Sequence, residues 1–487
     1  MFNFSEVFKL YSELTTNFFK EKKIEDIKGN SQYFTPLDEV EKMINDLQIS
    51  KIKTVNILDP ACGNGILIFK LIEKIFSHYF PENLIIDVYD IDITLLNNVK
   101  KIMETINFTE TKLSIRYINE DFLKNHDDKK YDYIIMNPPY KKINVEIVPE
   151  NLKNFLYGQP NLYHLFISRA LNMLKINGVL CIISPKNYLS GKYTEKLRQY
   201  LVENFSLIKI HTFNDRKTIF GNNITQEICI IHIKKSLEQN VIISYNGGSK
   251  FQAIISEIIL ENETNIIYTP RSIEDYKLIK RFQKFPIRTI GKDILMKTGK
   301  VVQFRVTGKD VNLKEEEFTH FKNGIPLIVY RHINTNKLNY QPLINKNKNK
   351  AITLIDDKSN SSILIKNSNY VLIRKNIDKK YDKLIHSVSY LKELQSEMIA
   401  LDNGIAYFTN TDDSLTEEEV KGLQCILMSK QFDDYYRVIN SSHTINVYEL
   451  ENMHFPDLKI IRLIGRNVVL NTLTIEQSTE IFEQYLI

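Results

Sequence analysis

The sequence predicts an α/β protein, with a doubly wound, mostly parallel seven-stranded sheet over residues 1–265 and a domain of mixed α+β texture over 266–487. Three observations lead there. Short β-rich runs alternate with segments of helical periodicity through the first ~235 residues, as βαβ units do. Glycine, acidic and proline residues recur just past the ends of those runs, where open α/β sheets bind ligands. The alternation fades beyond NGGSK (246–250), and after Tyr268-Thr269-Pro270 the chain turns irregular and rich in lysine and asparagine, which sets a boundary near residue 265.

From Met1 to about Lys28, Val7, Tyr11, Leu14 and Phe18 recur at helical spacing and predict an amphipathic helix laid against a larger body. The strand candidates then follow in order. TVNILD (54–59) precedes the helical pattern GILIFKLIEKIFSHYF, and LIIDVYD (84–90) precedes TLLNNVKKIMETI. KLSIRYI, YDYIIM, GVLCIIS, LIKIHTF and EICIIHIKK complete seven, with helical LYHLFISRALNMLK ahead of the fifth. The last two have no helix between them, so an antiparallel, hairpin-like edge is expected. INKNKNKAI (344–352) reads as an exposed, solvated loop, and no fixed-period repeat is visible.

A chain of 487 residues holds two or three domains, each able to bury a core, and 43% hydrophobic with 25% charged residues is a globular balance. No apolar stretch approaches the roughly 20 residues that span a bilayer, and MFNFSEVFKLYSEL lacks the layout of a signal peptide, so a cytoplasmic protein is expected. Cys62, Cys181, Cys229 and Cys425 lie far apart with no metal-ligand spacing, which indicates buried thiols and no metal. A net charge of +5 permits a polyanionic partner without requiring one.

The first chemical motif is DPACGNG, Asp59 to Gly65, between the first strand and the first helix. Its glycines Gly63 and Gly65 let backbone amides and a helix terminus approach a ligand. Asp90 ends the second strand about 25 residues on, where an acidic group bonds ribose hydroxyls in such folds. Ile66, Leu67 and Ile68 replace the third glycine of the dinucleotide fingerprint, which disfavours a nicotinamide cofactor. Asp121 follows the third strand and is placed to bond the amino edge of an adenine, so the three strand ends fit an adenosine-containing ligand. Asn137-Pro138-Pro139-Tyr140 follows the fourth strand, where two prolines fix φ near −65° and make a stiff loop. The Asn137 side-chain oxygen and the Pro138 carbonyl are two acceptors suited to an exocyclic NH2 group, and Tyr140 offers a face for stacking.

In this order the motifs resemble those of the S-adenosylmethionine-dependent N6-adenine DNA methyltransferases, in the gamma arrangement of bacterial type II restriction-modification systems, whose sheet is Rossmann-like. GNSQYFTP (29–36) resembles the family motif that precedes the glycine motif. The resemblance implies that Tyr33, Thr35 and Pro36 shape the cofactor pocket together with Asp59, Ala61, Gly63 and Gly65. Asp90 would take the ribose, Ile91 would flank the adenine, and Asp121 with Phe122 would fix its edge. Asn137, Pro138, Pro139 and Tyr140 would hold the target base. TIFGNNITQEICIIHI (218–233) resembles a later motif in which an aromatic residue, here Phe220, stacks on the opposite face of that base. GIPLIVYRHINTNKLNY (324–340) and DDYYRVINSSHTINVYELENMHFP (433–456) resemble segments of target-recognition domains, with Arg331, His332, Lys346, Lys348, Lys350 and Arg437 as candidates to meet double-stranded DNA.

The resemblance therefore implies base flipping, direct methyl displacement without a metal, and a monomer that shares its recognition site with a separate restriction endonuclease. Other readings stay open: methylation of N4 of cytosine, of RNA or of protein glutamine by the same NPPY chemistry, and a DNA-binding specificity subunit without turnover. A fused nuclease is disfavoured, since only ~30 residues precede the cofactor motifs. His164, on an apolar helical pattern, is expected in the core and not as a general base.

Overall fold

The computed structural model describes residues 4–22, 34–106, 108–124, 128–155, 158, 160–213, 227–248, 250–302, 325–334, 337–340, 344–345, 350–351, 354–355, 361–377, 383–440 and 444–486. They divide into two compact units, 1–276 and 277–487, and the division falls inside the helix Ile273–Phe282.

In the first unit, β1 (Thr54–Asp59), β2 (Asn83–Tyr89), β3 (Lys112–Ile118), β4 (Tyr131–Met136), β5 (Leu174–Pro185), β6 (Ser206–Thr212) and β7 (Ile228–Lys234) are the seven expected strands. The sheet has nine. β8 (Asn240–Tyr245) and β9 (Phe251–Ile254) extend it, in the order β3-β2-β1-β4-β5-β7-β6-β8-β9. The seven-strand expectation missed these two because NVIISY and FQAI are short and half-buried, with little alternation to mark them. The β6–β7 pair is antiparallel as expected, but it is not an edge: β7 lies between β5 and β6, and β6 continues in parallel to β8. The pairings β1–β2, β2–β3, β1–β4 and β4–β5 are all parallel.

The central strands are buried on both faces, which explains their continuous apolar texture. On one face Val55, Ile57, Ile86, Ile135 and Cys181 pack with residues of helices α2 (Leu37–Asn45), α3 (Ile66–Phe76) and α4 (Ile93–Glu104). The alternate set, Leu58, Ile134, Met136, Leu180 and Ile182, is equally buried on the other. Helix α1 (Phe4–Glu21) buries Val7 and Phe18 and sets Tyr11 and Leu14 against the same core, along the predicted stripe. The chain runs outward from β1 through β2 to β3 and then crosses back to β4 on the other side of β1, so the strand order reverses there and leaves a crevice at the carboxyl ends.

The second unit holds an antiparallel sheet of Leu295–Thr298, Ile405–Thr409, Asn369–Arg374 and Ser387–Leu391. A second sheet joins Leu354–Ile355, Ile325–Ile328, Met398–Leu401 and Leu364–Lys366, with the middle pair parallel. Helices Glu417–Met428 and Leu458–Arg466 cross closely at two glycines: a Cβ on Gly422 would lie 1.9 Å from the Ile461 carbonyl oxygen, and one on Gly465 1.9 Å from that of Glu418. No helix among the described residues is long and apolar enough to cross a membrane.

Candidate active site

The site is assembled from the ends of four parallel strands. Past β1, the chain turns through Gly63 (φ 53°) and Gly65 (φ 84°), left-handed conformations that favour glycine. Gly65 donates its N–H to the Cys62 carbonyl (2.8 Å) and caps α3. A Cβ on Gly63 would meet the Phe34 ring at 3.0 Å, whereas one on Gly65 would meet Phe69 and Val99 at 3.0 Å. Gly63 therefore faces Phe34 across the cavity, while Gly65 lets the loop settle against Phe69 and Val99 of two helices.

Asp90 ties the first two strand ends together. Its Oδ2 accepts the Gly63 N–H and its Oδ1 the Asp92 N–H, both at 2.9 Å. Burial pushes its carboxyl up to about 6, against those two hydrogen bonds. Asp59 is fully buried; Oδ1 accepts the Ala61 N–H at 3.1 Å while Oδ2 has no hydrogen-bond partner. Burial, with the nearby Asp90 charge, pushes Asp59 up to about 8. Beyond β3, Asp121 accepts the Leu123 N–H at 3.0 Å, and Phe122 packs edge-on to Tyr89 and against Phe166. The Arg169 guanidinium lies 4.7 Å from the Phe122 ring and donates to the Leu123 carbonyl.

Beyond β4, Asn137 donates from Nδ2 to Thr35 Oγ1 (3.0 Å), and its Oδ1 accepts the Tyr140 hydroxyl (2.7 Å). The carboxamide is thus held from both ends. The same hydroxyl lies 3.1 Å from the Ile183 carbonyl on β5, and burial raises the phenol well above its usual range.

One cavity gathers Ala61, Gly63, Asp90, Ile91, Asp121, Phe122, Asn137 and Pro139 from these strand ends. Ile91 is 66% exposed at its rim. Phe34, Pro60, Leu95, Glu120, Leu162 and Phe166 complete the lining and were not singled out from sequence. Phe34 stands between two residues that were, and Leu162 and Phe166 are one helical turn apart on α5 (Leu162–Asn172), so both signals were present.

Other expected residues fall elsewhere. Thr35 is buried with its hydroxyl on Asn137, and Pro36 is the exposed residue before α2. Pro138 is buried, and the Tyr140 ring is edge-on to Tyr163 with centroids 6.0 Å apart. Tyr33 and Phe220 lie outside the described residues. His164 is buried with its pKa lowered by burial to about 3, as fits a core residue.

In the second unit, His332 is corrected. It is 1% exposed, and its Nδ1 accepts the Val329 N–H at 3.1 Å, so it closes a turn inside the protein and does not face solvent. Arg437 is ion-paired to Asp433 one helical turn away (2.9 Å), which restrains it. Arg331 is exposed, with its guanidinium over the Tyr330 ring, and Arg374, not anticipated, reaches the same ring from a distant strand. Lys350 lies in a two-residue strand, and Lys346 and Lys348 are outside the described residues. No cluster of metal-binding side chains is present among the described residues.

Residues 72–220 match the Eco57I restriction-modification methylase family. The type II methyltransferase M.PstI of Providencia stuartii is 24% identical over 486 residues, 95% of this chain and 94% of that protein. M.BsuBI of Bacillus subtilis is 23% identical, covering 90% of each chain. M.AccI of Acinetobacter calcoaceticus is 27% identical over 258 residues, 50% of this chain and 45% of that one. Over nearly its whole length the chain is thus similar to type II methyltransferases.

Proposed function

We propose that this chain is a site-specific DNA methyltransferase acting on N6 of an adenine swung out of duplex DNA, with S-adenosylmethionine as methyl donor. The observation that supports the reading is the cavity at the switch point, where Ala61, Gly63, Asp90, Ile91, Asp121 and Phe122 share a lining with Asn137. The cavity suits the donor. Asp90 brings a carboxylate to the lining, Gly63 leaves room where a Cβ would strike Phe34, and Ile91 and Phe122 supply apolar walls for a purine. When bound, S-adenosylmethionine supplies an electrophilic methyl group.

The chain's own residues would prepare the nucleophile. Thr35 and Tyr140 hold the Asn137 amide in one orientation, and a carboxamide oxygen can accept two hydrogen bonds. With the Pro138 carbonyl it would draw on both amine protons and localise the nitrogen lone pair. Positioning then supplies much of the acceleration, and no covalent intermediate is needed. Arg331 and Arg374 around Tyr330 are the basic pair proposed to meet DNA phosphates, with Lys346, Lys348, Lys350 and Arg437 as further candidates. We assign residues 277–487 to target recognition, expect a cytoplasmic monomer, and expect a separate endonuclease that cuts the same sequence.

The test is methyl transfer to plasmid DNA with a labelled donor, followed by modification-sensitive sequencing. N6-methyladenine at one sequence motif is expected; methyl on cytosine N4, or none in DNA, overturns the assignment. Asn137→Ala is expected to cut turnover ~100-fold or more, about 2.7 kcal/mol, with donor binding retained.

A further inference from the structure

Helix α1 precedes every recognisable motif, yet along successive turns it and the residue after it contact three different segments around the cavity. The Thr15 hydroxyl accepts a hydrogen bond from Asn64 Nδ2 at 2.9 Å. Asn64 lies between the two glycines of DPACGNG and is 1% exposed. Its Oδ1 in turn accepts Asn98 Nδ2 from α4 at 3.1 Å. The buried carboxamide at the centre of the loop is therefore hydrogen-bonded to side chains of two helices.

One turn on, Phe18 and Phe19 pack edge-on against Phe34, at 5.7 and 5.1 Å between centroids, and Phe34 is the ring that faces Gly63. At the end of the helix Lys22 pairs with Asp92, whose N–H donates to Asp90 Oδ1. These contacts reach the loop after β1, the segment before α2 and the loop after β2, three of the segments that carry the proposed cofactor residues.

We infer that helix α1 braces the donor site from outside its lining, and that Thr15, acting through Asn64, is a positioning residue for the glycine loop. The inference rests on the proposed use of S-adenosylmethionine. Its physical basis is the cost of leaving a buried amide unsatisfied, on the order of 1–3 kcal/mol. Thr15→Val keeps the shape of the side chain and removes the acceptor. Asn64 must then turn toward water or accept the loss, and either outcome loosens the loop between Gly63 and Gly65. The hydrogen bonds joining Thr15, Asn64 and Asn98 are distinct from those that Asn137 makes with Thr35 and Tyr140, so the effect should fall on the donor and not on the target base.

Titration calorimetry of the full chain with S-adenosylmethionine and with S-adenosylhomocysteine separates the possibilities. Wild type is expected to bind both. Thr15→Val is expected to weaken both about tenfold, Thr15→Ser to return to within about twofold of wild type, and Asn98→Leu to behave as Thr15→Val. In steady-state assays the KM for the donor should rise while kcat and the KM for DNA stay near wild type. Thr15→Val binding as tightly as wild type overturns the inference, as does a loss of donor and DNA affinity together that Thr15→Ser fails to rescue. Should Thr15→Val fold poorly, Thr15→Ser and Asn98→Leu still decide, since a structural role alone predicts no selective rise in donor KM. Failure of wild type to bind either ligand sinks the proposed function itself.

Discussion

Two buried carboxylates give the site its pH response. Asp90, pushed up to about 6, loses its acceptor character on protonation, so donor affinity should fall as pH drops through about 6, and Asp90→Asn should flatten that profile in calorimetry. Asp59, pushed up to about 8, is mostly protonated near neutral pH. A cationic ligand beside it should drive ionisation and release a proton, visible as a binding enthalpy that changes with the ionisation enthalpy of the buffer. Raised acid pKa values also mean that both groups favour the ligand-free fold most below their unfolded values near 4, with that contribution lost as pH rises through 6 and then 8. Asp59→Asn keeps an acceptor for the Ala61 N–H and should raise the ligand-free Tm more at pH 9 than at pH 5; an equal shift at both would contradict the assigned burial cost. Thr35→Val should release one end of the Asn137 amide and lower kcat about tenfold, with donor affinity within twofold of wild type. The identity of these residues was legible because each follows an apolar run. Their partners were not, since Thr35 and Asn137 are far apart in sequence and meet only when the segment before α2 is laid across the end of β4.

At the level of elements, local patterning located the seven strands and their intervening helices, because strands buried on both faces read as unbroken apolar runs. It did not reveal that β7 lies between β5 and β6, since strand order depends on hydrogen bonds between segments and leaves no periodic trace. The crossing of Glu417–Met428 with Leu458–Arg466 makes a sharper case. Gly422 and Gly465 look like weak points in helices, but each is where the other backbone passes too near for a methyl group. Gly422→Ala and Gly465→Ala should each destabilise the protein by roughly 1–3 kcal/mol in urea unfolding, despite alanine's higher helix propensity. Stabilisation by either change would mean that the helices part readily. Arg462, which bonds Glu419 across the same crossing (2.7 Å), should lose that bond in either variant.

For the molecule as a whole, the two units carry different proposed duties, and ionic strength should separate them. Phosphate contacts release counterions, so DNA affinity should fall steeply between about 50 and 200 mM salt, whereas donor affinity in the dry crevice should change little. A flat salt response for DNA would remove Arg331 and Arg374 from the interface. The alternating runs and the four motifs sufficed to place this chain among α/β folds with a crevice at the strand ends, because glycine, proline and acid there are demands of local backbone geometry and charge. Which of those residues share a cavity, that Gly65 packs against two helices while Gly63 faces Phe34, that His332 is interior, and that Thr15 of an N-terminal helix bonds Asn64 of the glycine loop are all long-range matters. They depend on which distant side chains satisfy one another once water is excluded, and only the folded chain decides that.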